Sequence, residues 1–139
     1  MINDVFKSVA EEMPQGIRVL VADDTIVNVM LMKSILKRLN VAVDSAVNGA
    51  KALELLNKNN YNLVLTDINM PVMDGIELTR QIRSHPNPKI QNLPVVVLTG
   101  SNLKEATERI KEVGVIDFLL KPFSQKDFVE MIRRNLIKQ

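Results

Sequence analysis

From residue 17 onward, short apolar runs alternate with segments in which apolar residues recur every three or four positions. The runs are rich in Val, Ile and Leu, which is typical of strands buried on both faces of a parallel sheet. The segments between them have the spacing of helices with one buried stripe. The predicted strands are residues 18–22, 41–45, 62–66, 94–98 and 116–120. The predicted helices are residues 26–39, 49–58, 76–84, 103–113 and 125–137.

Five strands alternating with five helices predict an α/β fold built on a doubly wound parallel sheet. The second strand is the most polar, so we expect it at an edge of the sheet. The loop HPNPKIQN at 85–92 carries two prolines and is predicted to be irregular. On the first helix, Ile26 and Met30 fall on the predicted apolar face, and we expect both Met30 and Met32 to pack in the interior.

Residues 1–16 stand apart from this alternation. Val5, Val9 and Met13 recur every four residues, which predicts a short amphipathic helix, and MPQG then breaks it. We therefore expect a tail or linker at residues 1–16 that can form a helix, followed by a single domain at residues 17–139.

The composition limits the chemistry. A chain of 139 residues with 46% hydrophobic residues can fill the core of one domain, and a net charge of +2 gives no indication of a nucleic-acid partner. Because the chain has no cysteine, disulfide and zinc–thiolate chemistry are excluded. No apolar stretch reaches about 18 residues, and no signal-peptide pattern opens the chain. We expect a cytoplasmic protein without direct membrane contact.

Polar residues follow four of the five predicted strands. Asp23 and Asp24 follow the first strand, Asp67 the third, Thr99 the fourth and Lys121 the fifth. The carboxyl ends of parallel strands meet at one edge of a sheet, where ligands of such folds bind. Three neighbouring carboxylates repel one another and need a cation, and Mg²⁺ is the divalent ion that prefers such oxygen ligands.

These residue types suit phosphoryl transfer to a carboxylate. A carboxylate can attack phosphorus and form an acyl phosphate, while a metal and an ammonium neutralise the phosphoryl oxygens. The spacing leaves open which of the three carboxylates is the nucleophile. Each residue also has an ordinary structural explanation, because Asp is common in turns and Lys is common before a helix-starting Pro. For Phe118 we expect core packing, and for Asp74 we expect a helix N-cap.

Taken together, residues 17–138 resemble the receiver domain of response regulators in two-component signalling. The resemblance depends on the joint pattern: DD after the first strand, D-x-x-M-P-x-M-D-G after the third, Thr after the fourth and K-P after the fifth. It covers nearly the whole chain except residues 1–16. It implies a flavodoxin-like sheet with strand order 2-1-3-4-5.

The resemblance assigns roles that spacing leaves open. It implies that Asp67 is the phosphoacceptor and that Asp23 and Asp24 hold Mg²⁺, for which Mn²⁺ can substitute. Asp67 and the backbone carbonyl of Asn69 would complete the protein ligands of the metal. In the family, the residues at Asn69 and Ser101 tune the hydrolysis of the phosphoaspartate.

On the other side of the site, the resemblance implies that Thr99 and Lys121 contact the phosphoryl group. It further implies a cis peptide bond between Lys121 and Pro122. Phe118 matches the aromatic residue that turns inward when the domain is activated. Helix 103–113, strand 116–120 and helix 125–137 would then form the surface that changes.

The resemblance also implies a biological setting. The phosphodonor would be a histidine kinase or a histidine phosphotransfer domain, and the output partner would lie outside this chain. Asn28 is similar to a residue found in receivers of hybrid kinases and phosphorelays. We expect phosphorylation and hydrolysis on the chain itself rather than turnover of a separate substrate, and a monomer in the unphosphorylated state.

Two other function classes stay open. Asp67 and Asn69 are similar to the D-x-D pattern of haloacid-dehalogenase-like phosphatases, although those enzymes place the nucleophile on the first strand. A receiver-like binding module that is never phosphorylated is the other class, and the complete set of Asp, Thr and Lys residues argues against it.

Overall fold

The computed structural model of the protein describes residues 2–100 and 103–137, without the side chains of residues 103–107. Ser101, which the sequence marks as a position that tunes hydrolysis, lies outside the described residues. The strands are β1 Arg18–Ala22, β2 Ala42–Ala46, β3 Leu63–Asp67, β4 Val95–Thr99 and β5 Asp117–Leu120. The helices are α1 Ile2–Glu12, α2 Ile26–Arg38, α3 Gly49–Lys58, α4 Gly75–Arg83, α5 Pro88–Gln91, α6 Leu103–Val113 and α7 Gln125–Leu136.

The strands form one parallel sheet in the order β2-β1-β3-β4-β5. This confirms the predicted fold, including the position of β2 at an edge. The register pairs Ala22 with Thr66, and Thr99 with Leu120. Because the strand ends are aligned in this way, the polar residues that follow them meet at one edge.

Alternate residues of the central strands point to opposite faces of the sheet, and helices cover both faces. In β1, Val19 and Val21 pack in the cluster that includes α2 and α7, whereas Leu20 and Ala22 pack in the cluster that includes α3 and α4. All four side chains are fully buried. The continuous apolar runs therefore reflect a two-sided core.

The helix count differs from the prediction, since the described residues contain seven helices rather than five. The loop predicted to be irregular contains the short helix α5. It forms because the side chain of Asn87 accepts a hydrogen bond from the backbone N–H of Lys89 and because Pro88, at the first turn, has no N–H to satisfy. Ile90 is buried and holds this turn against the core.

The other helix beyond the five of the α/β alternation is α1, which lies in residues 1–16, where the sequence predicts a short helix. Phe6, Val9 and Met13 are buried in the same cluster as α2 and α7, and the Arg38 guanidinium lies 3.7 Å from the centre of the Phe6 ring. The outward face of the helix is polar. The helix is thus packed on the body of the domain.

Side-chain caps set the starts of several helices, and the cap at Asp74 confirms the prediction. Asn48 and Asp74 accept hydrogen bonds from the first turns of α3 and α4, and Ser124 and Asp127 form a reciprocal capping box on α7. Most predicted element ends lie within one residue of the observed ends, which is the usual uncertainty of such boundaries. No helix in residues 2–100 and 103–137 is long and apolar enough to span a lipid bilayer.

Candidate functional site

Three carboxylates meet at the carboxyl edge of the sheet, as the strand order requires. Asp23 and Asp24 follow β1, and Asp67 ends the neighbouring strand β3. One oxygen of each carboxylate lies within 4.8 Å of the others. Asp23 is buried, Asp67 is partly buried and Asp24 is exposed, so the cluster is open to solvent on one side.

Lys121 supplies the positive charge at this cluster. Its Nζ lies 3.2 Å from Oδ2 of Asp23 and 3.3 Å from Oδ2 of Asp67. The other oxygen of Asp23 accepts a hydrogen bond of 2.9 Å from the backbone N–H of Thr25. Asp23 is therefore held from both sides. Among the described side chains, one ammonium forms ion pairs in this cluster, so the three carboxylates and Lys121 together carry a formal charge of −2.

The electrostatics of Asp67 reflect this imbalance. Burial is the main cause that raises the pKa of the Asp67 carboxyl above its ordinary value, and the negative charge of Asp23 raises that pKa further. The Lys121 ammonium and the backbone N–H of Ile68 act in the opposite direction without cancelling the shift. A second cation at this cluster would therefore stabilise the charged form.

The carboxylate set fits a divalent ion. Two ligands on opposite sides of Mg²⁺ lie about 4 Å apart, which is compatible with the observed spacing of the three carboxylate oxygens. The chemistry of the donors, hard oxygens with solvent on one side, is also that of magnesium sites. Asn69, whose backbone carbonyl is a predicted ligand, lies in the exposed loop two residues after Asp67.

The loop that follows Asp67 is fixed by two glycines. A Cβ atom at Gly75 would collide with the carbonyl oxygen of Asp67, and the N–H of Gly75 donates to the Ile68 carbonyl at 2.8 Å. The N–H of Gly49 donates to the carbonyl of Met73 at 3.0 Å. The start of α4 and the start of α3 therefore hold the loop between them.

Thr99 and Lys121 lie side by side on the other half of the edge. Thr99 is buried at the end of β4, and its carbonyl accepts a hydrogen bond of 2.8 Å from the N–H of Lys121. Gly100 lets the chains approach, since a Cβ at this position would lie 3.4 Å from Cβ of Lys121. The peptide bond between Lys121 and Pro122 is cis.

The prediction for the side chain of Phe118 is wrong. Core packing was expected, but the side chain is 40% exposed. β5 is an edge strand, and the face that carries Phe118 is poorly covered there, since Ile116 and Leu120 on the same face are exposed as well. The apolar run at 116–120 therefore contributes only part of its side chains to the core.

A second correction concerns α2, where Met32 is buried as predicted and Met30 is not. Ile26 is 73% exposed and Met30 is 65% exposed. Both line a groove with Asp23, Asp24 and Val47, so this apolar surface adjoins the acidic cluster. The sequence does indicate an exposed apolar surface on α2, because IVNVMLM has more apolar residues than one buried helix face can hold.

Comparison with known proteins gives one consistent family. The family model of the response regulator receiver domain matches residues 19–133. The aerobic respiration control sensor protein ArcB of Escherichia coli is 34% identical over 134 residues, which cover 96% of this chain and 17% of that protein. Histidine kinase 5 of Arabidopsis thaliana is 30% identical over 143 residues, covering 86% of this chain and 16% of that protein. The chain thus spans less than a fifth of the length of these relatives.

Solved structures resemble the fold closely. The chemotaxis protein CheY4 of Vibrio cholerae has a TM-score of 0.80 at 28% identity and covers 86% of this chain and 98% of that one. The receiver domain of the sensor histidine kinase PA1611 from Pseudomonas aeruginosa has a TM-score of 0.79 at 28% identity, with 87% and 98% of the two chains covered. That structure carries a magnesium ion coordinated in its active-site cleft.

Proposed function

The chain belongs to the response regulator receiver domain family, and from this premise we propose that it accepts a phosphoryl group on Asp67 from a phosphohistidine donor in a Mg²⁺-dependent reaction. The observation that carries the proposal is the cluster of three carboxylate oxygens within 4.8 Å, with one ammonium in contact with two of the residues. Asp23, Asp24, Asp67 and the backbone carbonyl of Asn69 would hold the ion. When bound, Mg²⁺, or Mn²⁺ in its place, neutralises charge on the phosphoryl oxygens.

The surroundings of the three carboxylates favour Asp67 as the nucleophile. Asp23 is 1% exposed, and its two oxygens are occupied by the Thr25 N–H and the Lys121 ammonium. Asp67 is open to solvent on one side and already contacts the ammonium that an incoming phosphoryl oxygen would need. Asp24 is exposed, with no ion pair to a described cationic side chain.

The transfer itself needs only one bond to form and one to break. An oxygen of Asp67 attacks phosphorus, the bond between phosphorus and the donor imidazole breaks, and the imidazole nitrogen keeps the electron pair. Lys121 stabilises charge on the phosphoryl oxygens, and the Thr99 hydroxyl donates a hydrogen bond to one of them. Water later attacks the phosphorus of the phosphoaspartate, the bond to the Asp67 oxygen breaks, and inorganic phosphate and the free carboxylate result. The chain acts on itself and needs no separate small-molecule substrate.

The donor must bring its phosphohistidine to the open side of the cluster. We propose that a histidine kinase or a histidine phosphotransfer domain packs against the apolar side chains beside it, Ile26, Met30 and Val47. Exposed apolar surface of this kind is typical of protein interfaces. A small donor such as acetyl phosphate would not need this surface.

The response would appear on the opposite side of the site. We propose that α6, β5 and α7 form the surface that changes, with Thr99 and Phe118 as the moving side chains, and that its partner lies outside this chain. Residues 17–139 would form the receiver domain, residues 1–16 a docked helical extension, and the unphosphorylated chain a monomer. A cytoplasmic location is consistent with the absence of cysteine.

A beryllofluoride mimic of the phosphoryl group tests the proposal. The protein should form a complex with it in Mg²⁺ and none in EDTA, and the backbone amide signals of Thr99 and Gly100 should shift in NMR spectra. Absence of any Mg²⁺-dependent complex would contradict the proposal and favour a binding module. Steady turnover of phosphomonoesters would contradict it in favour of a phosphatase.

A further inference from the structure

Gly114, the residue that follows α6, is fastened to α4 by two hydrogen bonds from Arg83. Arg83, in the last turn of α4, donates from Nε and Nη2 to the carbonyl of Gly114 at 3.0 and 2.8 Å. Its Nη1 donates to the carbonyls of Leu93 and Gln91 at 2.7 and 2.9 Å. Gly114 has a φ of +79°, and a Cβ there would lie 3.2 Å from Nε of Arg83. Charge-assisted forks of this kind hold their partners in a fixed geometry.

Nearer its middle, and among the described side chains, α6 forms one ion pair with the N-cap of α4, beside the apolar packing of Ile110. Nη2 of Arg109 lies 3.4 Å from Oδ2 of Asp74, and the two side chains are 43% and 38% exposed. An exposed pair at this distance changes an equilibrium by no more than about fivefold. The two attachments of α6 therefore differ in strength, and the weaker one is the first to open.

The partner of Arg109 is part of the phosphoacceptor loop. Oδ1 of Asp74 caps α4 by accepting a hydrogen bond of 2.8 Å from the N–H of Glu77. The next residue, Gly75, has its Cα against the carbonyl of Asp67 and donates its N–H to Ile68. Asp74 is consequently fixed relative to the backbone of Asp67, and Arg109 joins α6 to that fixed point.

We propose that the Arg109–Asp74 ion pair is a latch that holds α6 against the phosphoacceptor loop before phosphorylation, and that the Arg83–Gly114 contact is the pivot about which α6 moves when the latch opens. This inference rests on the proposed function. Ile110 and Val113 are buried in the second half of α6, which keeps the pivot end in the core. The latch opposes activation, so its removal should favour the activated arrangement.

Two variants remove the latch without removing the cap. Asp74→Asn keeps an oxygen that can accept from Glu77, since Asn and Asp cap helices equally well, but it loses the charge. Arg109→Gln removes the charge from the other side. The matched control is Glu77→Gln, whose carboxylate pairs with Arg80 at 3.3 Å on the same helix with similar exposure, within α4 alone.

The measurement is the affinity of each protein for beryllofluoride in Mg²⁺. Asp74→Asn and Arg109→Gln should each bind it up to about fivefold more tightly than the wild type, and the double variant should gain no more than either alone. Glu77→Gln should bind it as the wild type does. Unchanged or weaker binding by both latch variants, with a normal wild-type complex, would overturn the latch. No wild-type complex at all would overturn the proposed function and the latch with it.

Side-chain NMR tests the pivot in the same samples. On addition of beryllofluoride to the wild type, the Nε–H signal of Arg109 should shift, whereas that of Arg83 should keep its position and its slow exchange with water. A shift of Arg83 with no change at Arg109 would contradict the assignment of pivot and latch.

Discussion

The two halves of the carboxyl edge differ in how firmly they are built. The β1 and β3 half places Asp23 and Asp67 at the ends of two central strands with buried interiors, and two helix starts hold the loop after β3. The β5 half is the margin of the sheet, where Phe118 and Leu120 are exposed and α6 is held by unequal contacts. Chemistry requires side chains held in fixed geometry, whereas a conformational response requires an element that is weakly anchored. One site can thus satisfy both demands by dividing them between its two sides.

A pair of phenylalanine substitutions should show the largest contrast. Phe128 is fully buried in α7 and stacks on Phe123 at 5.4 Å, whereas Phe118 is 40% exposed. Phe128→Ala should lower the free energy of unfolding by about 3–5 kcal/mol, because it leaves a cavity in the core. Phe118→Ala should lower it by about 1 kcal/mol or less. Urea denaturation of both variants measures the difference, and equal losses would contradict the exposed position of Phe118 at the margin of the sheet.

Replacing Lys121 tests the contact between the two halves, because this residue follows β5 and pairs with Asp23 and Asp67. Lys121→Met should slow phosphorylation by acetyl phosphate by about 10²–10³-fold, the usual effect of removing one group that stabilises transition-state charge. Lys126→Met, an exposed position at the start of α7, serves as the control for the loss of a lysine. The initial rate of phosphoprotein formation is the measurement. A similar slow-down in both variants would show that the contacts of Lys121 with Asp23 and Asp67 are unimportant.

The raised pKa of Asp67 predicts a smaller effect on stability. The folded protein binds this proton more tightly than the unfolded chain does, so the stabilising contribution of the protonated carboxyl is complete below its ordinary pKa. The contribution is lost as the pH rises through the raised folded-state pKa. Asp67→Asn resembles the protonated form and keeps this contribution at neutral pH, where it should gain roughly 0.5–2 kcal/mol in EDTA.

Urea denaturation at several pH values in EDTA checks this prediction. The difference between Asp67→Asn and the wild type should shrink as the pH falls through the carboxyl range. Added Mg²⁺ should also reduce it, since the ion would stabilise only the charged cluster. If the variant is less stable than the wild type at neutral pH in EDTA, then the ion pair with Lys121 outweighs the burial and charge repulsion at Asp67. That result would contradict the raised pKa of Asp67.

Much of the fold could be predicted because local patterns and tertiary structure agree. The run LPVVVL is buried on both sides of β4, and Asn48, Asp74 and Ser124 each cap the helix that follows them. The convergence of Asp23 and Asp67 also follows, since parallel neighbouring strands must end at one edge. At these positions the environment of each residue in the fold is the one that the local sequence pattern predicts.

The features that the sequence pattern did not predict depend on which elements pack against each other, and the local sequence does not contain that information. Phe118 and Met30 sit in apolar stretches like those of the core, yet one lies on an outer strand and the other on an exposed helix face. Helix α5 was missed because two prolines indicated a loop, whereas Asn87 and Pro88 together start a helical turn. The ion pair between Arg109 and Asp74 joins residues 35 positions apart and has no sequence signature.

The central claim is that Asp67, rather than Asp23 or Asp24, receives the phosphoryl group. The direct measurement is to phosphorylate the protein with acetyl phosphate in Mg²⁺, trap the acyl phosphate by borohydride reduction and locate the reduced residue by mass spectrometry of proteolytic peptides. The account predicts reduction at Asp67 alone and none in Asp67→Asn. Reduction at Asp23 or Asp24 in the wild type, or an undiminished adduct in Asp67→Asn, would contradict it.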